Sequence, residues 1–114
     1  MTATIVVQTT DVKDEIGKTG KPSEFILHHN YPNPFNQTTK IEFSLARSGF
    51  VSLIVYDLQG RKVKTLVAED LSWGHKSVVW DAKDNTGNEV ASGVYFCRLR
   101  AGHFSEAKKL VLLK

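Results

Sequence analysis

Short runs of alternating apolar residues, separated by turn residues about every 8–12 positions, constrain this chain more than any other feature. In residues 40–45 the apolar side chains fall at Ile41, Phe43 and Leu45, and residues 51–56 repeat the pattern. A period of two places alternate side chains on one face of a β-strand. No stretch keeps helical spacing for three turns, and short strands need a second sheet over their apolar face. The sequence therefore predicts an all-β fold, an antiparallel β-sandwich of about seven strands.

Further strands are predicted between the turn signals. They cover residues 63–67, 75–80, 91–100 and 104–113. Residues 68–74 and 81–89 are rich in polar and turn-forming residues, which predicts loops. Gly60 predicts a tight hairpin turn after the strand at 51–56, because glycine tolerates positive φ. The predicted core includes Val55, Trp80, Val94 and Phe96.

The first 24 residues differ in composition from the rest of the chain. Residues 4–10 have β-branched strand character, whereas 11–22 are charged and poor in apolar residues, as linkers are. We therefore expect residues 1–24 to be a linker and the end of an upstream domain, and 25–114 to form one C-terminal domain. The alternative is that 4–10 is an edge strand of that same domain. The N-terminus lacks the pattern of a signal peptide, and no apolar run approaches ~18 residues, so membrane insertion is not predicted.

The chain carries 15 Lys and Arg against 12 Asp and Glu, a net charge of +3, and the excess lies late in the sequence. Residues 1–30 contribute −1, 31–70 contribute +1 and 71–114 contribute +3. In the last third, the basic residues alternate with apolar ones, as solvent-facing positions of strands do. They are Arg98, Arg100, Lys108 and Lys109. A nucleic-acid partner is not expected, because the chain lacks a dense basic stripe or a known binding motif.

Residues able to perform chemistry are few and scattered. There is no Gly-x-Ser-x-Gly elbow, and the adjacent His28 and His29 would point to opposite faces of a strand. His75 and His103 each follow a glycine, as exposed turn residues do. The single Cys97 cannot form an internal disulfide and is expected to fill a small apolar position. The sequence thus predicts a protein that is not an enzyme and that has no cofactor.

The loop at 81–89 is the strongest candidate for an ion site. Its oxygen-bearing residues are Asp81, Asp84, Asn85 and Asn88. Oxygen ligands at short spacing around a glycine suit Ca²⁺, although the same residue types also build turns, and the turn interpretation is preferred. Trp73 is either a platform for stacking on sugar rings or a loop residue that caps the core. If these residues bind their ligands, the chain is an accessory carbohydrate- or calcium-binding module of an extracellular hydrolase. This function is the alternative to the one that the resemblance described next implies.

Four blocks of sequence follow one another in a characteristic order: residues 30–36 with 38–45, then 55–63, 79–87 and 91–96, before a Lys-rich apolar tail at 108–114. Their characteristic residues are Tyr31, Pro32, Pro34, Phe35, Asn36, Tyr56, Asp57, Gly60, Trp80, Asp81, Asp84, Gly87, Gly93 and Tyr95. These blocks and the tail resemble the C-terminal sorting domains of the type IX (Por) secretion system. The third and fourth blocks are shared with the Ig-like domain of the flagellar hook-capping protein. The chain departs from the family pattern at Gln37, where proline is common, and at Cys97, where an aromatic residue is common.

The resemblance implies an Ig-like sandwich that serves as an address label on a larger secreted bacterial protein. It implies recognition in the periplasm by the type IX machinery at the outer membrane, a covalently fused upstream cargo, and a secreted or cell-surface location. The recognition residues it implies are Lys108, Lys109, Leu110, Val111, Leu112, Leu113 and Lys114. A basic and apolar strand of this kind can pair with an open sheet edge through its backbone. Pro32 and Pro34 exclude helix and are expected to place Tyr31 and Phe35 on the sandwich.

Overall fold

A computed structural model describes residues 21–114, which form seven strands and no helix. The strands are β1 (Ile26–Leu27), β2 (Thr39–Leu45), β3 (Gly49–Tyr56), β4 (Lys62–Leu71), β5 (Gly74–Trp80), β6 (Gly93–Ala101) and β7 (Phe104–Leu112). The strand predicted at 4–10 lies outside the described residues. In the described part of the chain no helix has the length and hydropathy needed to cross a lipid bilayer.

The strands form two antiparallel sheets. One has the order β1-β2-β5 and the other the order β4-β3-β6-β7. Every named strand pairing is antiparallel, and β3 and β6 occupy the centre of the larger sheet, where β6 crosses over to pair with β3. The predicted fold, an Ig-like antiparallel β-sandwich of about seven strands, is confirmed.

The core lies between the two sheets and follows the alternation of apolar residues. Ile41, Phe43 and Leu45 on β2 are at most 1% exposed. Opposite them, β3 buries the predicted positions 51, 53 and 55. Trp80 at the end of β5 is completely buried, and its Nε1 donates a hydrogen bond to the carbonyl of Lys83 at 2.9 Å. Satisfying the indole N–H in this way allows a large aromatic side chain to occupy the centre of the core.

The inward face of β6 differs from the prediction. Its buried side chains are Tyr95, Cys97 and Leu99, whereas Val94 and Phe96 are half-buried on the outer face. The prediction that Val94 and Phe96 lie in the core is wrong. The cause is that apolar residues occupy both faces of this strand, so a period of two could not determine which face turns inward.

Strand β4 is longer than predicted. The sequence indicated a loop at residues 68–71, but β4 continues through them. In this part of the strand, Val51 pairs with Glu69 and Phe50 with Asp70. The acidic side chains are tolerated because β4 is an edge strand whose far end is exposed to solvent. The pairing of β3 with β4 shifts its register between Leu53 and Ile54, which accommodates the irregular alternation of apolar residues along β4.

Candidate functional site

The strand predicted to be recognised, β7, lies at the edge of the four-stranded sheet. It pairs with β6 along its whole length, from Phe104 opposite Ala101 to Leu112 opposite Gly93. Leu110 and Leu112 are fully buried in the core. Of the residues predicted for recognition, those with exposed side chains are Lys109, Leu113 and Lys114.

The proline segment, residues 31–36, covers the outer edge of the second half of β7. The N–H of Phe35 donates to the carbonyl of Val111 at 2.9 Å, and the N–H of Leu113 donates to the carbonyl of Phe35 at 2.9 Å. The side chain of Asn33 accepts a bond from the N–H of Val111 at 3.1 Å and donates one to the carbonyl of Lys109 at 3.4 Å. These contacts occupy the carbonyl of Lys109, the N–H and carbonyl of Val111 and the N–H of Leu113.

The first half of β7 pairs with no strand on its outer side among residues 21–114, although the Phe25 ring stacks on that of Phe104 at 5.5 Å. The carbonyl of Val111 and the N–H of Leu113 both bond to Phe35, so the backbone groups of these two residues point away from β6. Because alternate residues of a strand point their N–H and C=O groups to the same side, Ser105 and Ala107 also face outward. Within residues 21–114, no segment pairs with them on that side. Within the described part of the chain, the outward backbone groups of residues 105 and 107 therefore have no strand partner, whereas most of those along 109–113, inside the segment 108–114 predicted for recognition, bond to the proline segment.

The lysines of the predicted recognition segment have different surroundings. The side chain of Lys108 lies on the same face of β7 as the buried Leu110 and Leu112, and its ammonium forms an ion pair with the Glu106 carboxylate at 3.3 Å. The ammonium of Lys114 contacts the Glu89 carboxylate at 3.2 Å. Lys109 is exposed on the opposite face of β7 and makes none of the ion pairs found among the described residues.

The two aromatic residues of the proline segment have different roles. Phe35 is only 3% exposed, and its ring lies 5.7 Å from that of Trp80, so the expected contact with the sandwich is confirmed. The ring of Tyr31 is 78% exposed, and the prediction that it packs on the sandwich is wrong. The backbone of Tyr31 exchanges two hydrogen bonds with Lys40 instead, which leaves the side chain pointing to solvent.

Sequence reasoning did not assign a role to Asn30 and Thr39, which hold the proline segment in place. Both are nearly fully buried. The Asn30 amide donates to the Thr39 hydroxyl at 2.9 Å and to the carbonyl of Pro32 at 3.1 Å, and Thr39 donates to that same carbonyl at 2.9 Å. The side-chain oxygen of Asn30 is buried without a hydrogen-bond partner among the described residues. The adjacency of Asn30 to the tyrosine-proline motif was the available signal in the sequence.

The candidate calcium loop uses its oxygens to hold its own turn. One carboxylate oxygen of Asp84 accepts bonds from the Thr86 hydroxyl and N–H and from the N–H of Asn88, at 2.7–3.0 Å. The hydrogen bond from the Thr86 hydroxyl is the main cause that lowers the pKa of Asp84. The side-chain oxygen of Asn85 accepts a bond from Thr65 at 3.0 Å, and Asp81 accepts one from Lys83 at 3.3 Å. Residues 21–114 contain no cluster of three His, Cys, Asp or Glu side chains suited to a metal ion.

Several matched motif residues build turns. Gly60 has φ +83° in the β3–β4 hairpin. The carboxylate of Asp57 accepts bonds from the backbone N–H groups of Gln59 and Arg61, and from the Arg61 guanidinium, each at 2.9 Å. The backbone bond from Arg61 is the main cause that lowers the pKa of Asp57. The Tyr95 hydroxyl donates to the carbonyl of Ala91 at 2.6 Å, which ties the start of β6 to the core.

The remaining residue types capable of chemistry are Ser44, His75, Cys97 and Trp73, and their surroundings differ. Ser44 and His75 share a 2.8 Å hydrogen bond and line an open cavity together with His28, although Ser44 is only 1% exposed. Cys97 fills the expected apolar position, and burial raises the pKa of its thiol to about 11. Trp73 lies outside the core with 42% of its surface exposed, and the ammonium of Lys21 lies 5.9 Å from its ring centre. Trp73 therefore does not cap the core.

Comparison with known proteins identifies the domain type. The family model of the FlgD Ig-like domain matches residues 30–103, which is more than half of the chain. No curated protein sequence matches the chain. Similar solved structures include dimeric latent PorU from Porphyromonas gingivalis, with a TM-score of 0.60 and 18% identity. PorZ of the same organism, described as an essential bacterial surface component of the type-IX secretion system, has a TM-score of 0.54 and 23% identity. FlgD from Xanthomonas campestris, described for its hook capping in flagellar assembly, has a TM-score of 0.53 and 24% identity.

The matches cover most of this chain but differ in how much of each neighbour they span. They include 78% of this chain and 9% of PorU, 84% and 13% for PorZ, and 77% and 64% for FlgD. The chain therefore corresponds to one small part of PorU and PorZ. At these identities the likeness shows a shared Ig-like fold. Together with the family match, it establishes that this chain belongs to the FlgD Ig-like domain family.

Proposed function

We propose that this domain is a non-catalytic sorting domain that directs a larger secreted bacterial protein through the type IX secretion system to the cell surface. The resemblance of four ordered sequence blocks to the sorting domains of that system supports this proposal. The structural likeness to PorZ, a surface component of the type-IX secretion system, supports it further. The observation that carries the mechanism is that, among residues 21–114, no segment pairs with the outer edge of β7 at Ser105 and Ala107.

The domain acts by contact with the secretion machinery. A partner strand adds to the sheet beside β7 and forms main-chain hydrogen bonds with residues 105 and 107, as in other cases of strand addition. The exposed ends of Lys109 and Leu113 lie along the same strand and contribute side-chain contacts. The proline segment prevents the partner from continuing along 109–113, because Asn33 and Phe35 already bond there.

The test requires a change that removes the free edge and leaves the fold intact. Deleting residues 108–114 does not meet this requirement, because Leu110 and Leu112 belong to the core. The substitution Ala107→Pro removes an N–H that faces away from β6, and proline is tolerated at such edge positions. It also blocks pairing with an added strand. Ala107→Ser is the matched control, since serine keeps the N–H.

Both variants are expressed as the 114-residue chain behind a reporter that carries a signal peptide, in a bacterium with an active type IX system. We expect Ala107→Ser to reach the surface at the level of the parent sequence, and Ala107→Pro to accumulate in the periplasm. Thermal melts of the two purified variants verify that both are folded. Normal surface delivery of folded Ala107→Pro would contradict recognition through this edge.

A further inference from the structure

The outer face of the four-stranded sheet combines aromatic and basic residues in one patch, which we call the basic outer face. It consists of Tyr56, Phe96, Arg98, Arg100 and Lys109. Tyr56 pairs with Phe96 across β3 and β6, and Phe96 pairs with Lys109 across β6 and β7. Phe96, Arg98 and Arg100 alternate along β6, so all three project from the side opposite the core. Four of these five residues, all except Lys109, line a shallow open cavity of about 490 Å³.

The cations of this face form no ion pair with a carboxylate among residues 21–114. Asp57 lines the same cavity, but its carboxylate accepts bonds from Gln59 and Arg61 and pairs with the Arg61 guanidinium. The ion pairs among residues 21–114 are Lys40–Glu42, Asp57–Arg61, Glu106–Lys108 and Glu89–Lys114, and none includes a cation of the basic outer face. The outward side chains of β6 and β7 contain no carboxylate; they are Val94, Phe96, Arg98, Arg100, Ser105, Ala107, Lys109 and Val111. Arg98 donates one bond to the Ser105 hydroxyl at 2.8 Å, which orients its guanidinium and leaves further N–H groups to donate.

We propose that the basic outer face binds an extended acidic polypeptide segment. The guanidinium groups of Arg98 and Arg100 pair with carboxylates on that segment, and Phe96 and Tyr56 pack against an apolar side chain beside them. This surface adjoins the edge of β7, because Ala107 lines the same cavity and Arg98 bonds to Ser105. The inference does not rest on the proposed sorting function, and the substitutions that test it, at Arg98 and Arg100, lie on β6.

The spacing of the patch specifies the pattern of the partner. Alternate residues of a strand lie about 7 Å apart, so Phe96, Arg98 and Arg100 form a row with that repeat. An extended peptide lying along β6 presents its own alternate side chains with the same repeat. The complementary sequence is an apolar residue, any residue, an acidic residue, any residue and a second acidic residue. Arginine favours this pairing because its planar donors match a carboxylate in bidentate geometry.

The experiment uses the full 114-residue chain and a fluorescein-labelled peptide in which phenylalanine and two glutamates occupy alternate positions. A second peptide with glutamines in place of the glutamates measures the contribution of charge. The double variant Arg98→Gln/Arg100→Gln removes both guanidinium groups. The control Lys40→Gln/Lys83→Gln lowers the net charge equally at sites outside the patch. Polyuridylate RNA and heparin test whether other polyanions bind better.

We expect fluorescence anisotropy to show saturable binding of the glutamate peptide with a Kd below about 1 mM. Binding should weaken about tenfold for the glutamine peptide and for the Arg98/Arg100 double variant, and less than about twofold for the lysine control. Melting temperatures verify that both variants are folded, and the peptide comparison on the parent chain does not depend on any variant. Equal binding of the two peptides, an unchanged affinity of the arginine variant, or absence of binding would overturn the proposal. Tighter binding of RNA or heparin than of the glutamate peptide would also overturn it.

Discussion

Replacing Phe35 by alanine tests whether the proline segment is part of the core. The side chain is 3% exposed and its ring centre lies 5.7 Å from that of Trp80, so the substitution removes a buried aromatic ring and its packing against Trp80. Truncations of this kind destabilise proteins by about 3–5 kcal/mol. A domain of this size has a total stability of about 5–15 kcal/mol, so the variant loses a large fraction of its stability. Tyr31→Ala is the matched control, because that ring is 78% exposed and its loss should change stability by less than about 0.5 kcal/mol.

The assay is urea unfolding followed by far-UV circular dichroism and by tryptophan fluorescence, to which the buried Trp80 and the partly exposed Trp73 both contribute. With a slope of about 1.5 kcal/mol per molar urea, a loss of about 3 kcal/mol lowers the midpoint by about 2 M. The melting temperature of Phe35→Ala should fall by about 12 °C or more. Similar destabilisation by Phe35→Ala and Tyr31→Ala would refute the assignment of different roles to the two rings.

Three further predictions concern the thiol, the polar loop and the hairpin. Cys97 should resist iodoacetamide at pH 8 and react once urea unfolds the chain, because burial raises its pKa to about 11; rapid labelling of the native protein would contradict this. The hydrogen bonds that lower the pKa of Asp84 stabilise the fold above the carboxyl's unfolded pKa near 3.8 and lose this effect as the pH falls through the folded pKa. The melting temperature of Asp84→Asn should therefore depend less on pH in the acid range than that of the parent, and neither should respond to Ca²⁺. Gly60→Ala should cost about 1–2 kcal/mol by thermal melting because of its φ of +83°, and Gly49→Ala, which has free space and no positive φ, should cost less.

The sequence predicted the sandwich because binary patterning determines which faces of most strands are buried. Residues Ile41, Phe43 and Leu45 alternate with polar neighbours, so their common inward direction could be read directly. Where both faces are apolar, as for Val94 and Phe96 on β6, the pattern contains no information about direction. The inward face there is determined by long-range pairing with β3 and β7.

The candidate site could be predicted only in part. Position 107 lies in a recognisable strand, but its free edge depends on which segment pairs beside it. The contact between Asn33 and Val111 joins residues 78 positions apart, and no local preference encodes it. Long-range contacts of this kind follow from the packing of the whole domain, so the resemblance at 108–114 could not indicate which of these residues bond to the proline segment.

Surface delivery of a reporter is the most direct test of the sorting function. A reporter with a signal peptide, fused in front of the 114-residue chain, is expressed in a bacterium with an active type IX system and in an isogenic strain that lacks its outer-membrane translocon. Protease added to intact cells measures the fraction of reporter on the surface. The proposed function predicts surface exposure in the first strain and periplasmic retention in the second. Equal distribution of the reporter in the two strains would contradict it.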